Sequence, residues 1–437
     1  MQALNIPDID LPRVIIIGGG FAGLRLARKL DPNHFQTVLI DSNNYHTFQP
    51  LMYQVATAGL EPDSIAYPLR KVLKNKKRTH IRMATVQEVV ATENIIKTDL
   101  GDIRYDYLVV ATGAKTNYFG NKNIEQHAIP MKNLTESLDL RSAILQSFEA
   151  ALNEDDLNKR DSLMNFVIVG GGPTGVELAG ALAELRKHVL PKDFPDLDLR
   201  RMQINLIEAG PKVLAAMSGK ASENGFDYLK EMDINVFTNT MVNDYDGETV
   251  ITPKHVIKSN NLIWAAGVKG NIPNGLEEKH LKGGRIAVDG YGFVNELDKV
   301  MAVGDVAIMK DERYDGGLPM LASVAQQQGD YLAKHLKNLM TNKTTKPFKY
   351  VDKGTMATVG RNRAVVDLGK VRFGGFFAWM TWLFVHLMLL VDFRNRIMVF
   401  ANWVWSYVNF DRGTRLIVRK YEKEKKESVK RESQLIH

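Results

Sequence analysis

The chain has 437 residues, more than one hydrophobic core holds, so two or three domains are expected; its 45% hydrophobic and 24% charged residues are ordinary for a globular protein. A net charge of +7 suits anionic cofactors or a negatively charged membrane face, and with no nucleic-acid motif in the chain it does not point to DNA or RNA. Cysteine is absent, which excludes a disulfide framework, a thiolate metal site and a redox-active cysteine pair.

The N-terminus, "MQALNIPDIDLPRV", has acids where a signal peptide needs a basic start and an apolar run, so exposure to the cytoplasm is expected. From residue 13 the chain reads "RVIIIGGGFAGLRLARKLDPNHFQTVLID". A β-branched run of the buried parallel-strand type leads into Gly18, Gly20 and Gly23, spaced as GxGxxG; a helical pattern and a second apolar run ending in Asp41 follow. Gly18 permits a tight turn, Gly20 lets backbone approach a pyrophosphate, and Gly23 lets helix pack on strand. The helix N-terminus favours the anion, and Asp41 is placed to accept from a ribose hydroxyl. Residues 70–78, "RKVLKNKKR", predict a solvated basic face, with anionic lipid contact as the alternative.

The same grammar recurs in "FVIVGGGPTGVELAGALAEL" with Gly170, Gly172 and Gly175, and in "INLIE", which ends at Glu208. The intervening "RKHVLPKDFPDLDLRRM" predicts a helix extension and loop. Glu208 would bond a ribose diol and repel a 2′-phosphate, favouring NADH over NADPH. "YDYLVVATGA" and "NLIWAAGV" are matching strand-then-small-residue segments, one for each nucleotide unit. "DKVMAVGDVA" is an apolar strand ending in Gly304-Asp305, whose carboxylate could hold a ribitol hydroxyl. Two dinucleotide units in one chain point to hydride transfer from a nicotinamide to a flavin. "LASVAQQQGDYLAKHLKNLM" reads as a helix with small residues at its start. The ten histidines show no clustered ligand spacing, so no metal site is expected.

The tail begins near Lys346, and "KGTMATVGRNRAVVDLG" predicts two short strands with a turn at "GRNR". Then comes "GGFFAWMTWLFVHLMLLVDFRNR". Its apolar stretch runs from Phe376 only to Val391, interrupted by Thr381 and His386, short of the roughly twenty residues a spanning helix needs. Trp379, Trp382, Trp403, Trp405 and Tyr407 are interface-loving, and basic residues from Arg419 to Arg431 suit anionic headgroups. The expectation is a monotopic anchor on the cytoplasmic face of the cell membrane; a buried helical hairpin, a homodimer interface or a true span are the alternatives.

Taken together, the chain resembles the two-dinucleotide flavoprotein reductases of the glutathione-reductase-like fold. The absence of cysteine removes the disulfide reductases and sulfide:quinone reductases, leaving ferredoxin-type reductases and type II (alternative) NADH:quinone oxidoreductases. "GGGPTGVELAG", "YHTFQPLMYQVATAGLEPDSIAYPLR" and "LPMLASVAQQQG" resemble stretches of the second group, the last its AQxAxQQG quinone motif, with Ser323 where that motif commonly has Gln. The resemblance implies an α/β fold class of two Rossmann-like domains. The FAD domain (1–125 and 285–345) has an NADH domain (126–284) inserted, and a C-terminal domain (346–437) carries membrane-associating helices. It implies tightly bound FAD at Gly18, Gly20, Phe21, Ala22, Gly23, Asp41, Ser42, Val86, Ala111, Thr112, Gly113, Asp305, Ala322 and Ser323. NADH is implied at Gly170, Gly172, Pro173, Thr174, Gly175, Glu177, Glu208, Ala266 and Gly267; Glu177 is the catalytic candidate for gating or relaying protons near the flavin–nicotinamide contact, its alternative an N-terminal helix acid that complements the dipole. A membrane quinone is implied at Ala325, Gln327 and Gln328. A soluble NAD(P)H–flavin reductase for a protein acceptor and a membrane-associated redox sensor remain alternative readings.

Overall fold

The computed structural model describes residues 5–409 and 413–422; the basic run read at residues 423–431 lies outside them. Five helices position the residues discussed below: α1 (Phe21–Lys29), α2 (Pro173–His188), α3 (Ala322–Met340), α4 (Phe376–Leu389) and α5 (Phe393–Asn409). The chain forms two compact units. The first draws on residues up to Thr47, on Ala66–Thr116 and on Val268–Lys353; the second draws on Phe48–Ile65, Asn117–Gly267 and the described residues from Gly354 on.

In the first unit, strands 79–83, 36–41, 13–17, 107–110 and 300–302 lie side by side, all parallel. Val14, Ile15, Ile16 and Ile17 are all buried, because a parallel strand is covered on both faces and has no polar side to show. Successive side chains feed opposite layers: Ile15 and Ile17 join one core cluster, Val14 and Ile16 the other. The 13–17 strand is where the order of connections reverses, so the glycine loop leaves it at the topological switch point, where doubly wound sheets bind ligands.

The second unit repeats the plan, with strands 129–130, 261–264, 166–169, 204–207 and 235–237 in parallel order. The predicted helix extension is α2 itself, which runs to His188 before short turns at Leu190–Asp193 and Leu199–Arg201. The region read as two strands and a turn has three: Thr355–Thr358, Ala364–Asp367 and Arg372–Gly374. Gly360 and Asn362 take positive φ (68° and 58°) to reverse the chain at "GRNR", and the third strand covers an edge that two strands would leave open.

Gly375, at φ 79°, then turns the chain into α4. Only Ala378, Trp382 and His386 on α4 are buried, a stripe at i, i+4 and i+8. Trp382 stacks on His386 at 4.1 Å and lies 6.0 Å from Trp403 of α5. Burial brings the His386 imidazole down to about 4, although its Nδ1–H donates to the Trp382 carbonyl at 2.8 Å. α5 is tied to the 48–65 segment by Trp403 Nε1–H to Gln54 Oε1 (2.8 Å) and Asn395 Nδ2–H to the Asp63 carbonyl (2.7 Å). No described helix is long and apolar enough to cross a membrane.

Candidate active site

The two glycine loops are built alike. A Cβ on Gly18 (φ 104°) would stand 2.4 Å from the Ala111 carbonyl oxygen, and one on Gly23 1.9 Å from that of Gly18. A Cβ on Gly20 meets nothing within 4 Å, so open space lies over the start of α1, which no side chain caps. Uncapped N–H groups facing open space fit a pyrophosphate. Asp41 holds the loop from beneath, accepting from Gly19 N–H (2.6 Å) through one oxygen and from Asn43 N–H (2.7 Å) through the other. Burial raises its carboxyl while those N–H groups pull it down.

Around this loop stand the other residues expected at FAD. Phe21 meets His46 edge-on at 5.2 Å, Ala22 is buried, and Ser42 is exposed and accepts from Asn43. Ala111 lies under Gly18, Thr112 Oγ1 donates to the Asn271 carbonyl at 2.5 Å, and Gly113 (φ 70°) has open space at its Cβ position. Asp305 sits in the 3₁₀ turn Gly304–Val306. Val86 starts a strand of a separate antiparallel sheet, 86–104. The geometry fits a dinucleotide at the loop.

In the second loop, a Cβ on Gly170 (φ 112°) would lie 2.7 Å from the Ala265 carbonyl oxygen, and one on Gly175 1.9 Å from that of Gly170. Gly172, Pro173 and Thr174 are exposed at the uncapped start of α2. Glu208 repeats the clamp of Asp41, accepting from Gly171 N–H and Gly210 N–H, both at 2.6 Å. Ala266 is half-buried, and Gly267 (φ 80°) leaves room for Phe119, whose Cζ would stand 2.6 Å from an added Cβ.

The residues of the "AQxAxQQG"-like helix are engaged with their own unit. Ala322 opens α3, and Ser323 Oγ shares a 3.0 Å hydrogen bond with Tyr350 OH. Ala325 is buried. Gln327 donates to the Val351 carbonyl (2.9 Å) and accepts from its N–H (3.0 Å), while the buried Gln328 accepts from Gly304 N–H at 2.7 Å. Both glutamine side chains therefore position backbone, and Gln328 is not on a solvated face.

The second unit holds an apolar cavity of about 410 Å³. Tyr53, Gln54 and Thr57 line it from the 48–65 segment, Glu177, Ala181 and Glu184 from α2, Thr358 and Arg361 from the three-stranded sheet, and Trp379, Trp382, Phe384, Trp403 and Tyr407 from α4 and α5. Glu177 is 8% exposed, and burial pushes its carboxyl up to about 8. The Thr358 N–H, 3.4 Å from Oε1, draws it back slightly, and so does the Trp382 indole N–H, which faces it outside hydrogen-bond geometry. A carboxylic acid neutral at pH 7 against an apolar cavity can give a proton to a bound carbonyl oxygen.

The spacing after Gly175 singled out Glu177, but Tyr53, Thr358 and Trp382 were missed as cavity residues. Only the "YQVATAG" stretch and the tryptophan cluster hinted at them. Among the described residues, no group of three or more His, Cys, Asp and Glu is placed to hold a metal ion.

Comparison with known proteins agrees with this geometry. A profile of the pyridine nucleotide-disulphide oxidoreductases matches residues 12–329, and one of the NDH2 C-terminal domain matches residues 353–410. A type II NADH:quinone oxidoreductase of Mycobacterium tuberculosis is 35% identical over 422 residues, covering 92% of this chain and 89% of the relative. One from Staphylococcus aureus is 28% identical over 371 residues, covering 82% and 89%. Among solved structures, NDH2 of Plasmodium falciparum in complex with NADH has a TM-score of 0.86 at 20% identity, covering 93% of this chain and 100% of that one. The sulfide:quinone oxidoreductase of Aquifex aeolicus reaches 0.70 at 18%, covering 91% and 95%. These two establish the fold, and the cysteine-free sequence rules out disulfide chemistry here. With its profile match, its M. tuberculosis relative and its paired glycine loops, the chain belongs to the pyridine nucleotide-disulphide oxidoreductases and, within them, to the type II NADH:quinone oxidoreductases.

Proposed function

We propose that this protein oxidises NADH and reduces a membrane quinone without pumping protons, and that the quinone head is reduced in the apolar cavity beside Glu177. The observation that carries this reading is the Glu177 carboxyl, buried on α2 at the wall of an apolar cavity that α4 and α5 also line. FAD, when bound, is the carrier through which two electrons pass from NADH to quinone. The chain's own residues do the rest. The N–H groups at the start of α1 and the Asp41 clamp hold the FAD pyrophosphate and ribose; those of α2 and the Glu208 clamp hold NADH. Trp382 and Trp403 give the quinone head an apolar wall, and Glu177 supplies a proton to a quinone oxygen.

The acceptor dissolves in lipid, so the enzyme has to meet the bilayer. On α4 and α5, Phe377 is 78% exposed, Phe393 73% and Trp405 62%, apolar surface that an aqueous monomer would hide. We infer that this face lies in the membrane interface as a monotopic anchor on the cytoplasmic side, with Arg419 and Lys420 toward anionic headgroups. Each large aromatic buried in lipid is worth about 2 kcal/mol. The double variant Phe377→Ser/Trp405→Ser should therefore bind anionic vesicles close to a thousandfold (~10³) more weakly. Co-sedimentation measures this; undiminished binding would assign the face to another use, such as a homodimer.

Glu208 sets the choice of nucleotide. Glu208→Ala should raise KM for NADH about tenfold and narrow the preference over NADPH, since a carboxylate near the ribose repels a 2′-phosphate. An unchanged NADH/NADPH ratio of kcat/KM would remove that role. The activity itself is tested anaerobically: NADH bleaches the flavin, and a short-chain quinone restores its colour rapidly. Bleaching with no response to quinone would favour a reductase serving a protein acceptor.

A further inference from the structure

Four residues of α2 fall on one face at positions 177, 181, 184 and 188: Glu177, Ala181, Glu184 and His188. The first three line the apolar cavity. Glu184 and His188 also line a second cavity of about 800 Å³, whose walls carry Arg186, Lys187 and Glu231 and are therefore polar. Glu184, Arg361 and Tyr407 belong to both linings, so these side chains are the partition between an apolar chamber and a polar one.

The partition is an ionic cluster. Glu184 Oε1 accepts from the Arg361 backbone N–H at 3.2 Å; Oε2 stands 3.7 Å from Arg361 Nε and 3.8 Å from His188 Nε2. The Arg361 guanidinium also donates to the Ser406 carbonyl (2.6 Å) and Oγ (3.0 Å) and lies 5.9 Å from the Tyr407 ring centre. A Cβ on Gly180 would stand 2.5 Å from Gly360 N, so this loop is pressed onto α2 and the cluster has little room to drift.

The reaction NADH + H⁺ + quinone → NAD⁺ + quinol takes one proton from water in each turnover, and the quinol oxygens gain theirs in a chamber whose walls are mostly apolar. Glu177 can give one proton and must be reloaded before it gives another. We propose that Glu184 is the residue through which Glu177 is reloaded, taking protons from water in the polar cavity. Glu184 is a positioning residue for the proton, not a group that meets the quinone. A proton bonds to Glu184 Oε2 beside His188; that O–H then breaks as the proton passes through intervening water to the Glu177 carboxylate, and no electrons move. Seven residues of helix separate the two by about 10 Å, a span for a short file of water molecules.

This inference rests on the quinone-reducing reading above, and the test separates the two. In the FAD-loaded Glu184→Gln variant, NADH should bleach the flavin at the wild-type rate, while steady-state turnover with excess short-chain quinone falls about tenfold or more and its solvent deuterium isotope effect rises. Glu184→Asp keeps the charge opposite Arg361 but withdraws the carboxyl by one methylene. It should sit between, two- to fivefold slow (an order-of-magnitude expectation) with the raised isotope effect, and it carries the test if Glu184→Gln does not fold. Were Glu184 only a latch between α2 and the 359–363 loop, both variants would melt earlier yet keep wild-type turnover per flavin and isotope effect, and the relay would be overturned. A wild-type protein that is bleached by NADH but never turns over quinone would instead fail the parent reading.

Discussion

Glu177→Gln lowers quinone-linked turnover about a hundredfold while NADH still bleaches the flavin, the loss expected when a general acid is removed from an otherwise intact site. The amide keeps the shape and the contact with the Thr358 N–H but has no proton to give. The pH profile supplies a second signature. Because burial raises this carboxyl to about 8, the donor is loaded below that pH, and wild-type quinone reduction should fall as pH rises through it. The variant should lack that alkaline limb. The sign for stability runs the same way: the folded state binds the proton more tightly than the unfolded one. The contribution is complete below the ordinary glutamate pKa of 4.5 and is lost as pH rises toward 8. Steady-state and stopped-flow rates across pH 6–9 measure it (a span of order one to two units either side of the shifted value). Turnover within twofold (~2) of wild type with the limb intact would remove Glu177 from the chemistry.

The second large effect separates fold from ligand at the NADH loop. Gly175→Ala places a Cβ 1.9 Å from the Gly170 carbonyl oxygen, a contact that only backbone movement relieves. It should destabilise the second unit by several kcal/mol, on the order of 3, and raise KM for NADH at least about a hundredfold while leaving FAD bound to the first unit. Gly172→Ala is the matched control. Its Cβ meets nothing of the protein within 4 Å, so the melting temperature should not change. The methyl instead stands where the pyrophosphate must approach, and KM for NADH should rise on its own. Thermal melts, flavin content and NADH kinetics of the two variants check this; a Gly172→Ala protein with wild-type KM would show that no phosphate passes there.

How much of this the sequence revealed depends on how local each feature is. Gly18, Gly20, Gly23 and Asp41 lie within thirty residues, and a short-range pattern of turn, helix and strand end is enough to read them; Gly170 to Glu208 are the same case with an insertion. Glu177 could be picked out by its place after Gly175, yet nothing local in the sequence said that it would be buried, and the fold leaves it 8% exposed. The cavity was not legible. Its walls come from residues near 53, 177, 358, 382 and 403, which only the tertiary fold assembles. On α4 the difficulty is different: the helix is apolar all round, so no periodicity distinguishes the buried Ala378, Trp382 and His386 from the exposed Phe377 and Phe384. Gln327 and Gln328 show the converse: their amides read from sequence as quinone donors, and no local pattern announced the bonds they make to Val351 and Gly304.

The claim that quinone is reduced in the cavity of the second unit is tested most directly by a photoreactive short-chain quinone. Illuminated on the FAD-loaded enzyme and followed by peptide mapping, the label should land on the 52–59 and 376–389 segments, and excess unreactive quinone should suppress it. Label confined to 322–331, with none on Tyr53, Trp379 or Trp382, would contradict the assignment.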